Sequence, residues 1–149
     1  MYQLNLPAFD IKVKKMGEKP VVFDRLRRKY VALTPEEWVR QHFVNYLVIG
    51  RCYPEALIAN EARIQLNGQN KRCDSVVYNN QLHPLVIVEY KAPDVKITQE
   101  VFSQIVCYNI VLKVKYLIVS NGMNHYCCKM DYDTQTFEYL REIPLFSEL

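Results

Sequence analysis

The sequence predicts a mixed α/β fold with helices laid on a central sheet, and three observations predict it. TPEEWVRQHFVNYLV places apolar side chains at helical spacing behind a capping threonine. Three apolar, strand-like runs follow within about forty residues, with turn signals between them. A second helical stretch then precedes a short apolar strand. The order is helix, three strands, helix, strand and then further strands, which folds by burying both faces of the sheet under helices.

The elements can be justified in chain order. Ile11–Lys15 and Val21–Phe23 flank KMGEKP, which predicts a hairpin. DRLRRKY (Asp24–Tyr30) then concentrates Arg25, Arg27, Arg28 and Lys29. Thr34 is a good N-cap, Pro35 suits the first helical position, and Glu37 completes a capping box, so a helix should run to about Gly50. Trp38, Val39, Phe43, Tyr46 and Leu47 form its periodic face. Ala56–Leu66 reads as a strand ended by the turn signal Asn67-Gly68. Arg72–Tyr78 and Leu85–Lys91 are the next two strands, and Pro93 stops the latter. Thr98 caps a helix over Gln99–Leu112, and Lys115–Ser120 is a strand stopped by Asn121-Gly122. Asn124–Asp131 and Gln135–Leu140 form a last hairpin around DYDTQ.

With 149 residues, half of them hydrophobic, the chain is long enough for one domain with a real core. The net charge of +3 permits a nucleic-acid partner without demanding one. Five cysteines (52, 73, 107, 127 and 128) without paired CxxC spacing read as free thiols in a reducing compartment. No charged-then-apolar leader is present, and no apolar run approaches the roughly 20 residues of a membrane span, so a soluble, cytoplasmic protein is expected. His42, His83 and His125 lack ligand spacing, and phosphate-loop, zincin and serine-hydrolase signatures are absent.

RCDSVVYNNQLHPLVIVEYKAP carries the chemistry. Its apolar runs are core strands, yet Asp74, Glu89 and Lys91 sit among them. Glu89 and Lys91 share a strand face. A hairpin centred between Gln81 and Leu82 sets Asp74 opposite Glu89, Val76 opposite Ile87 and Tyr78 opposite Leu85. The two carboxylates would then lie within about 5.5 Å at Cβ, which is destabilising unless a cation lies between them. Lys91 is one such cation; a hard divalent metal ion is another, and it would choose carboxylate oxygens while retaining waters for chemistry. A solvent-facing ion-pair cluster at the strand ends is the plain alternative, and Ala92-Pro93 marks such an end.

Asp74, fourteen intervening residues and then Glu89-Tyr90-Lys91 resemble the PD-(D/E)xK nuclease motif, with Cys73 in place of the usual proline. KRCDSVVY…PLVIVEYKAP is similar, more narrowly, to the N-terminal nuclease domain of type I restriction enzyme R subunits. Gln104 and Tyr108 in QIVCY match the QxxxY motif of RecB-like nucleases and R-subunit domains, and residues four apart share a helix face. The resemblance spans about Thr34–Asn121. It implies a restriction-endonuclease-like core of αβββαβ order with extra terminal hairpins, in a single domain over 1–149. It also implies a Mg²⁺-dependent nuclease, with Mn²⁺ as substitute, acting on DNA. Asp74 and Glu89 would ligate the metal with the Tyr90 carbonyl, and Glu37 from the first helix is a further candidate ligand. Lys91 would position the attacking water, and Gln104 and Tyr108 would support the site or touch DNA. Arg25, Arg27, Arg28 and Lys29 are candidates for phosphate contact, against a solvated surface as the plain reading; Glu61 is open between the cleft and the surface. Type I R subunits carry an ATP-driven motor, so a separate motor or specificity subunit, or a homodimer, is an expected partner. The other function class is a non-cleaving nucleic-acid-binding or assembly module on the same fold.

Overall fold

In a computed structural model that describes residues 2–66 and 68–149, nine strands form two sheets. Asn67 of the predicted turn lies outside the described residues. A small antiparallel sheet comprises β1 (Val13–Met16), β2 (Lys19–Asp24) and β3 (Lys29–Ala32). The predicted hairpin is therefore one strand richer, because the basic run is a turn. Asp24 Oδ1 accepts the backbone N–H groups of Leu26 and Arg27 at 2.8 and 3.1 Å, and Arg28 takes a left-handed φ of 53°. Turned back in this way, Lys29–Ala32 pairs along β2.

Helix α1 (Pro35–Asn45) follows, and a π-type turn carries it over Tyr46–Gly50. Thr34 caps it by accepting from the Glu37 N–H at 3.1 Å. Only that half of the predicted capping box forms: Glu37 turns its carboxylate to Arg27 and Gln41 instead.

The six-stranded sheet runs in sequence order: β4 (Ile58–Leu66), β5 (Gln69–Tyr78), β6 (Pro84–Tyr90), β7 (Tyr116–Ser120), β8 (His125–Asp131) and β9 (Thr136–Leu140). Among the described residues only β6 and β7 are parallel, and α2 (Gln99–Ile110) is the crossover between them, as a parallel connection needs. β4 starts two residues later than predicted because Glu55–Leu57 forms a 3₁₀ turn.

The helices cover opposite faces of the sheet. Val39, Phe43 and Leu47 of α1 pack on Val77, Val86, Val88, Tyr90 and Ile118. Phe102, Ile105 and Val106 of α2 pack on Val76, Ile87, Leu117 and Val119. β7 is buried at every position, which explains its unbroken apolar sequence. Each such side chain contributes roughly 1.5–3 kcal/mol on burial. Among the described residues no helix is long and apolar enough to cross a membrane.

Candidate active site

Two departures from regular pairing shape the charged end of β5. The predicted register holds for Ser75 with Val88, Val76 with Ile87 and Val77 with Val86. At the turn end it slips, and Tyr78 pairs with Pro84 rather than with Leu85. At the other end Asp74 and Glu89 are next in line, but the ladder stops. Asp74 Oδ2 accepts the Tyr90 N–H at 2.9 Å, so a side chain takes the place of the main-chain partner. On the other flank, Asn60 pairs with Ser75 and Ala62 with Cys73, while Glu61 and Asp74 between them stay unpaired. Glu61 holds a left-handed φ of 53°, which costs a non-glycine residue roughly 1–3 kcal/mol. The irregularity changes which residues face which helix: Asn60 and Ser75 turn to the α1 side, hydrogen-bonded to one another at 2.6 Å, and Ser75 Oγ accepts from the Tyr90 hydroxyl at 3.0 Å. Ala62 and Cys73 join the α2-side core.

The predicted trio is gathered at these strand ends. Lys91 Nζ lies 4.0 Å from Glu89 Oε1, with the two side chains 32% and 27% exposed. Burial, then the Asp74 charge, push the Glu89 carboxyl up to about 7, and Lys91 only partly offsets this. The Lys91 N–H donates to the Ser120 carbonyl at 2.9 Å, which anchors the end of β6 to β7. A groove of about 330 Å³ opens beside Glu89, walled by Gln104, Ile105, Tyr108 and Asn109 of α2. Helical spacing thus brings Gln104 and Tyr108 to the groove that Glu89 lines.

Glu37 is spoken for: its carboxylate pairs with Arg27 at 2.5 Å and with Arg40 at 3.5 Å, and accepts from Gln41 at 2.9 Å. Its neighbour Glu36 is exposed, and its charge is the one from the acidic first turn of α1 that helps raise Glu89. Arg27 binds Asp24 and Glu37 and is 18% exposed. Arg25 pairs at the surface with Glu55 at 3.4 Å, and Arg28 and Lys29 are exposed. Glu61 turns to cations: Oε1 meets Arg40 and Oε2 meets Arg72, both at 2.6 Å.

Two groups went unnoticed in the sequence. Arg40, 5% exposed, lies over the Tyr90 ring at 5.7 Å and bridges Glu37 to Glu61. Lys71 sits 3.4 Å from the Tyr108 ring centroid and donates to the Tyr108 carbonyl. Their distant partners, 21 and 37 residues away, leave no local signal, although Glu37 lies only three residues before Arg40.

The donors at the site suit a hard divalent cation, since two carboxylates and nearby main-chain oxygens are all oxygen ligands. A carboxyl pushed up to about 7 by burial and then by a second carboxylate is also the electrostatic condition that a cation relieves. Among the described residues no group of three or more His, Cys, Asp or Glu side chains is placed to hold a metal ion, so Asp74 and Glu89 would need main-chain oxygen and water to complete a shell.

Comparison with known proteins bears on the family and the fold. The family described as type I restriction enzyme R protein N terminus matches residues 35–144. Among solved structures the chain is similar to a fragment assigned to the HsdR subunit of a type I restriction enzyme from Vibrio vulnificus YJ016. The identity is 22%, the TM-score is 0.51, and the match covers 77% of this chain and 25% of that one. That likeness bears on the fold, a mixed sheet with helices in the restriction-endonuclease-like arrangement, to which β1–β3 add a separate antiparallel sheet. The chain spans about a quarter of the length of the HsdR fragment. No curated protein matches. Because the family match covers most of the chain, including both charged strands and both helices, the protein belongs to the family of type I restriction enzyme R protein N-terminal domains.

Proposed function

We propose that this protein is a divalent-metal-dependent DNA nuclease domain that hydrolyses phosphodiester bonds. The observation that carries the reading is the meeting of Asp74, Glu89 and Lys91 at one pair of strand ends, beside a groove walled by Gln104 and Tyr108. Asp74, Glu89 and the Tyr90 carbonyl would hold Mg²⁺ or Mn²⁺, with Glu36, whose charge acts on Glu89, as the acid that α1 adds. Such an ion supplies Lewis-acid stabilisation of the phosphoryl oxygens and a more acidic bound water. Lys91 then orients the attacking water and stabilises the negative charge that grows on the phosphoryl group. Gln104 and Tyr108 hold the scissile strand against α2. Lys71 keeps Tyr108 in place by packing on its ring.

DNA is the proposed substrate, and other subunits of a type I system, including a motor, are the proposed partners. Supercoiled plasmid cleavage with Mg²⁺ or Mn²⁺ tests this. Cleavage by the wild type that persists unchanged in Asp74→Ala and Lys91→Ala would refute the assignment. One observation favours a second reading, a non-cleaving nucleic-acid-binding or assembly module: among the described residues no set of three side-chain ligands is assembled. Calorimetry that finds no Mn²⁺ binding, alongside salt-sensitive DNA binding, would select that module.

A further inference from the structure

Three aromatic rings on the outer strands are more exposed than a core requires: Tyr126 is 36% exposed, Phe137 37% and Tyr139 45%. They are grouped around the buried Phe102, whose ring centroid lies 6.1, 6.2 and 5.1 Å from theirs. A pocket of about 400 Å³ opens between Phe102, Tyr126 and Tyr139 and the first residues of α2, Thr98 and Gln99. Gln99 Nε2 donates to the Tyr139 hydroxyl at 3.1 Å, so a side-chain amide stands at the aromatic wall. Aromatic walls with a few fixed polar groups, at this volume, are the usual form of a small-ligand site.

The pocket lies in line with the charged strand ends. Glu89 is paired with Val119, and Val119 with Tyr126, in successive registers across β6, β7 and β8. Paired residues share a sheet face, so Glu89 and Tyr126 project to the same side. Two strand spacings put them about 10 Å apart. Helix α2 packs over Val119 between them, with Gln104 and Tyr108 on the Glu89 groove and Gln99 on the aromatic pocket. Because α2 covers Val119, a strand that reaches both places passes outside the helix, so at roughly 3.4 Å per stacked nucleotide it spans about three nucleotides or more.

We propose that this pocket binds an unpaired nucleobase of the strand whose phosphate lies at Glu89 and Lys91, the base stacking on Tyr126 and Tyr139 beside the Gln99 amide. The inference rests on the nuclease reading for the position of the scissile phosphate. Stacking on tyrosine accepts any base, because every base has a π-face. Lys96 precedes the pocket wall at Ile97 and Arg141 follows it at Leu140, while Asp94 and Glu100 lie nearby. The mixed charge gives phosphate attraction little net weight here, so stacking should dominate. A protein partner would instead bury about 800 Å² per side, whereas a concavity of this volume suits a single planar ring.

The test is fluorescence anisotropy on the whole chain in EDTA, where no cleavage intervenes. A labelled single strand of about twelve nucleotides, a long enough site for stacking, is compared with its duplex and with an oligomer of abasic residues. The wild type should bind the single strand about tenfold more tightly than the abasic oligomer. Tyr126→Ala and Tyr139→Ala should each lose about tenfold for the single strand, while Tyr126→Phe and Tyr139→Phe retain it. Equal binding of normal and abasic oligomers, absence of single-strand binding, or wild-type affinity in both alanine variants would overturn the proposal. So would loss of a subunit partner in those variants with single-strand binding intact. The abasic comparison uses unaltered protein and stands even if a variant fails to fold. If the nuclease reading alone is wrong, no cleavage appears with Mg²⁺ or Mn²⁺ but tyrosine-dependent binding persists, which supports the pocket. If the pocket alone is wrong, cleavage proceeds and is indifferent to both alanine changes.

Discussion

Two sets of acids in this protein lie close together in space and behave oppositely. Asp24, Glu37 and Glu61 each face an arginine: Arg27 holds the first two, and Arg40 and Arg72 hold Glu61. Although burial acts to raise them, hydrogen bonds and the neighbouring guanidinium groups hold the Asp24 and Glu61 carboxyls below the usual range. Asp74 and Glu89, by contrast, have Lys91 at 4.0 Å from Glu89, and Glu89 rises to about 7. The first set is balanced within the fold, whereas the second is left short of positive charge. A protein that supplies three arginines to one group of acids and a single lysine to the next leaves room at the second for a cation from outside.

The sharpest way to break that contrast is Arg40→Met. It removes the cation that Glu37 and Glu61 share while Arg27 and Arg72 still pair with them, and the loss should cost about 1–3 kcal/mol. Urea denaturation measures this, and a cost near zero would mean that the balanced set is decorative. Lys91→Ala should instead spare stability and lower cleavage about 100-fold, in line with the loss of one charge-stabilising group. Melting temperature and plasmid cleavage, measured on the same preparation, separate the two effects.

The pH dependence sharpens the comparison further. Glu89 has a folded pKa above its unfolded value of about 4.5, so its contribution is full below pH 4.5 and is lost as pH rises through 7. That loss, in metal-free protein, is roughly 2–3 kcal/mol. Glu89→Gln should flatten the slope between about pH 5 and 7, and added Mn²⁺ should do the same in the wild type by favouring the ionised form. Asp24 and Glu61 act in the opposite sense: their stabilisation is present above their unfolded pKa values and is lost as pH falls through the lowered folded ones. An acid limb of unfolding that survives Glu89→Gln would therefore belong to the arginine-paired set.

Smaller effects discriminate between neighbours. Glu36→Gln should weaken Mn²⁺ binding by about threefold through the loss of a nearby charge, with little change in stability. Glu37→Gln should do the reverse and destabilise by about 1–3 kcal/mol through Arg27 and Arg40. Calorimetric titration and melting curves on the pair decide which acid of α1 serves the site.

Much of this arrangement is legible in the residues. Thr34 and Thr98 announce both helices, because a cap acts on donors three residues away. The apolar runs of β6 and β7 announce buried strands, and hairpin arithmetic gives the register of Val76 with Ile87 and of its two neighbours, although the ladder stops short of Asp74 and Glu89 and slips at Tyr78. Strand β3 is not legible, since Lys29–Ala32 forms it only once Asp24 has turned the chain back. The partner of Glu37 is not legible for a similar reason: Arg27, brought over by the small sheet, meets it across ten residues.

The sequence by itself determined the helices, the order of the core strands and the three charges at the ends of β5 and β6, because caps, periodicity and hairpin register act over a few residues. Tertiary structure decided which charges are balanced and which are left open. Arg40 reaches Glu61 across 21 residues, and Asp24 reaches Asn60 across 36. Tyr126 comes into line with Glu89 only through Val119 on the strand between them. Coulombic balance depends on distance in space, and only the packed sheet and its helices set those distances.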